Sequence, residues 1–142
     1  MSNDKPGTPQ GPDDQKDEDA IAFAEGLFEL ARNGGAGPLS VILNAGVPVD
    51  MRTSSGDTLL MLACSNGHAD TARLLLENGA NPELRNDQLQ TPLMAAARSN
   101  QGAVIECLLE AGAQKALADG EGRSALDLAI SKGAEEAIRA LS

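Results

Sequence analysis

Aromatic side chains are nearly absent from the 142 residues: there are two Phe, no Trp and no Tyr. A core must therefore be filled by Leu, Ala, Ile and Val, which suits helices packed on helices. Cysteine is equally scarce. Cys64 and Cys107 lack a C-x-x-C spacing and the density of a secreted disulfide scaffold, so two buried free thiols are expected. No stretch approaches the roughly 20 apolar residues of a membrane-spanning helix, and Met1 to Asp19 has no apolar centre of the kind a secretory signal needs. The cytoplasm is the expected compartment. Positive charge is in deficit, with 11 basic against 21 acidic residues and a net charge of −10. Such a field repels phosphate backbones and anionic lipid, so neither a nucleic acid nor a membrane is expected as a partner.

What the chain does contain is a repeat. Thr58, Thr91 and Ser124 stand 33 residues apart, and the same step joins Leu60, Leu93 and Leu126, then Ala63, Ala96 and Ala129. It also joins Leu43, Leu76 and Leu109, and Gly46, Gly79 and Gly112. Each unit reads as two short helices. Thr91 before Pro92 is an N-cap followed by proline at the first helical position, and Thr58 and Ser124 offer the same hydroxyl. After about two turns come the turn signals Asn66-Gly67, Asn100-Gln101-Gly102 and Lys132-Gly133, then a second apolar pattern in which Ala72, Leu75 and Leu76 share a face. Gly46, Gly79 and Gly112 follow the second helices, as a left-handed helix stop requires. The polar stretches from Ala80 to Gln90 and from Ala113 to Arg123 are too short for another helix and read as hairpin-like loops.

These residues resemble a known family. Gln90-Thr91-Pro92-Leu93-Met94-Ala95-Ala96-Ala97, Cys107-Leu108-Leu109-Glu110-Ala111-Gly112-Ala113 and the Gly67-His68 pair look like the ankyrin repeat. The resemblance implies an all-α ankyrin-repeat solenoid of about four helix-turn-helix units with hairpin-like loops, capped at both ends. The units are expected at about 20–52, 53–85, 86–118 and 119–142, preceded by an acidic, Pro-bearing tail over 1–19 whose composition predicts disorder. In the first unit the Thr-Pro start gives way to a longer helical run from Asp19 to Arg32. Two departures from the family pattern stand out. Met61, Met94 and Asp127 occupy a position often held by His, and Leu89 replaces the turn glycine seen at Gly56 and Gly122, so the third hairpin is expected to differ.

The resemblance further implies a protein-protein interaction module, a stand-alone adaptor or regulator that binds through hairpin tips and the concave face of the first helices. On this sequence that strip holds Ser54, Ser55, Asp57, Met61, Ser65 and Asn66, then Asp87, Gln88, Gln90, Met94, Arg98 and Ser99, then Glu121 and Arg123, with Asp127 beside them. Met61 and Met94 would be stacked neighbours, offering flexible apolar contacts to a partner or simply packing first helix on first helix. Arg98 could anchor a carboxylate or stand solvated. An alternative role is a stabilising or inhibitory cover for one enzyme, for instance a redox or stress enzyme. No catalytic set, metal set or cofactor is expected. The nearest constellation is Cys64 with His68, but the single His has no second ligand and the apolar neighbours Leu62 and Ala63 place Cys64 in the core. The partner is expected to be a protein, and the free chain a monomer.

Overall fold

In the computed structural model the backbone is described from residue 12 and the side chains from residue 18, both to Ser142. Eight helices form four pairs: α1 (Pro12–Asn33) with α2 (Ala36–Asn44), α3 (Leu59–Ser65) with α4 (Ala69–Glu77), α5 (Pro92–Arg98) with α6 (Gly102–Glu110), and α7 (Ala125–Lys132) with α8 (Glu135–Leu141). The first helices α1, α3, α5 and α7 pack in order as an inner layer, and α2, α4, α6 and α8 pack in order behind them. Leu27, Leu39, Leu59, Leu60, Leu75, Leu93, Ile105 and Leu108 fill the space between the layers. Ala63, Ala96 and Ala129 have no exposed surface, and their small side chains let the inner helices approach closely.

The hydroxyl column acts as expected. Thr58 Oγ1 accepts from Met61 N–H at 3.1 Å and Thr91 Oγ1 from Met94 N–H at 3.3 Å. Ser124 Oγ accepts from Asp127 N–H at 3.2 Å while Asp127 Oδ2 accepts from Ser124 N–H at 3.1 Å, closing a reciprocal capping box. Asp127 thus takes a local capping role at the position where the family often has His. At the far ends of the second helices Gly46, Gly79 and Gly112 adopt φ of 101°, 92° and 93°.

The first unit differs from the expected boundary. α1 starts at Pro12 rather than near Asp19, so part of the stretch read as a disordered tail is helical. Pro12 occupies the first helical position, where its missing N–H removes no bond. The expectation for residues 1–11 lies outside the described residues. Ile21 and Phe23 of α1 are more than half exposed, at 59% and 52%.

The turns between paired helices form another left-handed column: Gly34, Gly67, Asn100 and Gly133 have φ of 79°, 78°, 57° and 65°. At Gly67 the next unit also crowds the position, since a Cβ there would meet the amide end of the Gln101 side chain and push it aside. Neighbouring units are further tied by contacts with the same period. Asp50 Oδ1 accepts from Asn81 N–H at 3.1 Å, and one unit on Glu83 Oε2 accepts from Gln114 N–H at 2.9 Å.

Candidate functional site

Three hairpin tips project from the inner edge of the stack, and each is built on its first residue. Thr53 Oγ1 accepts from the N–H groups of Ser55 and Asp57 at 3.2 Å each. Asn86 Oδ1 does the same for Gln88 and Gln90 at 2.9 and 3.0 Å, and Asp119 Oδ1 for Glu121 and Arg123 at 2.9 Å each. The side chain substitutes for the backbone acceptor of a turn. This column, at the same 33-residue step, escaped the sequence reading because Thr, Asn and Asp share only a short oxygen-bearing side chain.

Leu89 keeps the third tip in the common geometry, contrary to expectation. It adopts φ of 62°, and its N–H reaches Asn86 O at 2.9 Å, as Gly56 N–H reaches Thr53 O at 2.9 Å and Gly122 N–H reaches Asp119 O at 3.0 Å. The flanking tips hold it there. Asp87 N–H donates to Ser55 O at 3.0 Å, and Gly120 N–H donates to Gln88 O at 3.2 Å, so consecutive tips are joined backbone to backbone. Asn86 Nδ2 adds a bond to Asp57 Oδ1 at 2.9 Å.

Between the tips and the inner helices runs a polar groove made of two adjoining depressions of about 390 and 460 Å³. Asp57, Met61, Ser65 and Ser99 line the first, Glu121 and Arg123 the second, and Gln88, Gln90 and Arg98 line both. Lys132 also lines both, although the sequence reading left it out. Its signal was available: it falls one 33-residue step after Ser99, at the end of the next first helix. Ser54, Ser55 and Asp87 lie exposed at the tips, Asn66 caps the end of α3 through Leu62 O at 2.8 Å, and Asp127 is occupied in the capping box.

The methionines require a correction. Met94 is 1% exposed and packs in the core, and Met61 is 3% exposed, forming part of the floor of the first depression. Stacked between capped first helices with alanines beside them, both fill interhelical space instead of presenting a flexible apolar contact. Gln90 is also buried, with its amide oxygen 3.3 Å from Asn86 Nδ2. The accessible part of the strip therefore centres on Gln88, Arg98 and Lys132.

Electrostatics distinguish Asp119 from the other tip residues. Its carboxylate is nearly buried and accepts from Arg123 Nε at 3.1 Å and from Arg123 Nη2 at 3.0 Å, beyond the two backbone bonds. The backbone N–H of Arg123 leads in holding its pKa below the ordinary carboxylate value, with the Glu121 N–H and the guanidinium adding to it against the cost of burial.

Cys64 and His68 do not form a pair. Cys64 has no exposed surface, and burial pushes its thiol pKa up, with Cys107 adding in the same direction. His68 Nε2 instead donates to Arg32 O in the preceding unit at 2.8 Å. Because a carbonyl only accepts, the proton of that bond sits on Nε2. Cys107 receives Arg73 Nη2 at 3.0 Å, and both cysteines are free. Among the described residues no three His, Cys, Asp or Glu side chains gather as a metal site, and no helix is long and apolar enough to cross a membrane.

Stacked helix pairs whose hairpins interlock over a shared groove define a helical-repeat solenoid, in which each unit buries its apolar face only against its neighbours. The chain belongs to the ankyrin repeat family: a family profile described as "Ankyrin repeats (3 copies)" matches residues 27–119 and again 84–142. A protein of Pseudomonas aeruginosa, named as an ankyrin repeat protein, is 42% identical over 52 residues, covering 37% of this chain and 30% of the relative. The matched stretch thus spans less than a third of the relative's length. Ankyrin repeats are in general protein-protein interaction modules and are typically non-catalytic.

Proposed function

We propose that this chain is an adaptor or regulator that seats a protein partner along the groove between the hairpin tips and the inner helices. The observation carrying this reading is the backbone-to-backbone joining of consecutive tips, Asp87 to Ser55 and Gly120 to Gln88, along one side of a polar groove. Loops already ordered lose little entropy when a partner binds, so modest contacts convert more fully into affinity. One side of a standard interface buries ~800 Å², a footprint on the scale of a few stacked units.

Gln88→Trp provides the test. Gln88 is exposed, and its side chain makes no hydrogen bond among the described residues, so an indole there fills the groove without removing a scaffold contact. Partner capture by the full chain should fall at least about tenfold, equivalent to ~1.4 kcal/mol, at unchanged melting temperature. Glu106→Trp on the outer layer should leave capture intact. The opposite pattern, capture lost with Glu106→Trp and kept with Gln88→Trp, places the partner on the outer face.

A further inference from the structure

The charges of the groove are unevenly committed. Its carboxylates have partners: Asp57 Oδ1 takes the Asn86 amide, Asp119 takes Arg123 and two backbone N–H groups, and Glu121 lies 3.7 Å from Arg123. Outside the groove Arg32 pairs with Glu29, Arg73 with Asp70 and Cys107, Arg52 with the Arg85 carbonyl and Lys115 with the Leu141 carbonyl, while the Arg85 and Arg139 side chains, which do not line the groove, have no partner among the described residues. Arg98 and Lys132 have neither an ion pair nor a hydrogen bond among the described residues. Both are exposed, and both border the two depressions. They stand in the last turns of adjacent inner helices, α5 and α7. Cations there are stabilised by the carbonyl ends of the helices, and this leaves their charge open to the groove.

We infer that Arg98 and Lys132 form a cationic clamp for carboxylate side chains, so that the partner presents an acidic segment to this groove. The inference rests on the groove being the partner site. The net charge of −10 does not oppose it at contact range, because charges beyond about 8 Å are screened at physiological ionic strength while a partly enclosed contact is screened much less. A guanidinium fork and a mobile ammonium from neighbouring repeats suit two successive carboxylates better than one fixed ligand. Gln88 and Ser99, bordering the same space, supply neutral donors for the peptide backbone.

The experiment titrates the full chain, by NMR, with three capped hexapeptides of alternating Gly-Glu, Gly-Gln and Gly-Lys. The Gly-Glu peptide should shift the Arg98 side-chain Nε–H resonance and the Lys132, Gln88 and Ser99 signals. Arg98→Gln with Lys132→Gln should weaken this at least ~tenfold without altering the melting curve. Equal binding of the Gly-Gln peptide in the groove overturns the acid preference and leaves the groove as a peptide site. Tighter groove binding of the Gly-Lys peptide overturns it as well, as do Gly-Glu shifts equally large at Arg85 and Arg139. If no peptide perturbs the groove, the clamp is wrong, whereas the groove reading stands or falls separately on partner capture by Gln88→Trp.

Discussion

Leu89 occupies a left-handed backbone conformation that its two counterparts give to glycine. A Cβ in that conformation costs roughly 1–2 kcal/mol, and glycine gives back about 0.5–1 kcal/mol through the freedom it adds to the unfolded chain. Leu89→Gly should therefore stabilise the protein, raising the melting temperature by roughly 2–4 °C in calorimetry; a fall would mean that the half-exposed Leu side chain contributes more packing than the strain costs. Asp119 carries a pH dependence whose sign follows from its lowered pKa. Its stabilisation is fully present above the unfolded carboxylate value of about 3.9 and is lost as pH falls through the folded value. Asn86 performs the same turn role without charge, so Asp119→Asn should keep the tip while removing this component of the acid limb. Urea unfolding at pH 6 and pH 3 should show a smaller drop in the variant than in the unsubstituted chain.

At the scale of the element, the two helices of a unit are started by different physics. The inner helices α3, α5 and α7 begin with a hydroxyl cap, whereas α2, α4, α6 and α8 have no side-chain cap bond. Where an outer helix starts, His68 reaches back to the preceding unit, and the turn residue Asn100 accepts from Ala137 N–H of the following one at 3.0 Å. Thr91→Ala should cost about 1–2 kcal/mol in denaturant unfolding, since it orphans a buried Met94 N–H. The inner helices were legible in the sequence because a hydroxyl, a proline and an apolar run are local signals. The supports of the outer helices were not, because His68 and Asn100 satisfy groups about one repeat away and nothing in the local spacing marks those partners.

For the whole molecule, stability accumulates through contacts between neighbouring units, so position in the stack sets the cost of a lesion. Leu108 of α6 is fully buried with units on both sides, whereas among the described residues Leu141 of α8 meets a neighbouring unit on one side. Leu108→Ala should cost roughly 3–5 kcal/mol and Leu141→Ala no more than about 2–3 kcal/mol, measured by chemical unfolding. Cys64 reports the same cooperativity. With no exposed surface and a thiol pushed away from ionisation, it should react with a disulfide reagent only as fast as the stack opens, and subdenaturing urea should accelerate labelling in step with unfolding. Labelling of Cys64 at the rate of an exposed thiol would contradict the packed interior.

The sequence by itself determined the repeat length, the two-helix unit, the glycine stops and the hydroxyl caps, because each rests on backbone preferences that a residue imposes on its own surroundings. Its resemblance to the ankyrin repeat implied which edge of each unit carries the tips, and with it the strip of residues offered as a binding face. Tertiary structure decided which strip residues remain accessible. Met61 and Met94 had the spacing of contact residues, yet the approach of inner helices separated by alanines encloses them. It also decided that Leu89 could hold a glycine's conformation, since bonds from the tips on either side fix the hairpin more strongly than one strained residue loosens it. Lys132 meets Arg98 through stacking, which brings the ends of adjacent inner helices to the border of one groove; the 33-residue step from Ser99 marks its position, but only the packed helices make it a neighbour of Arg98.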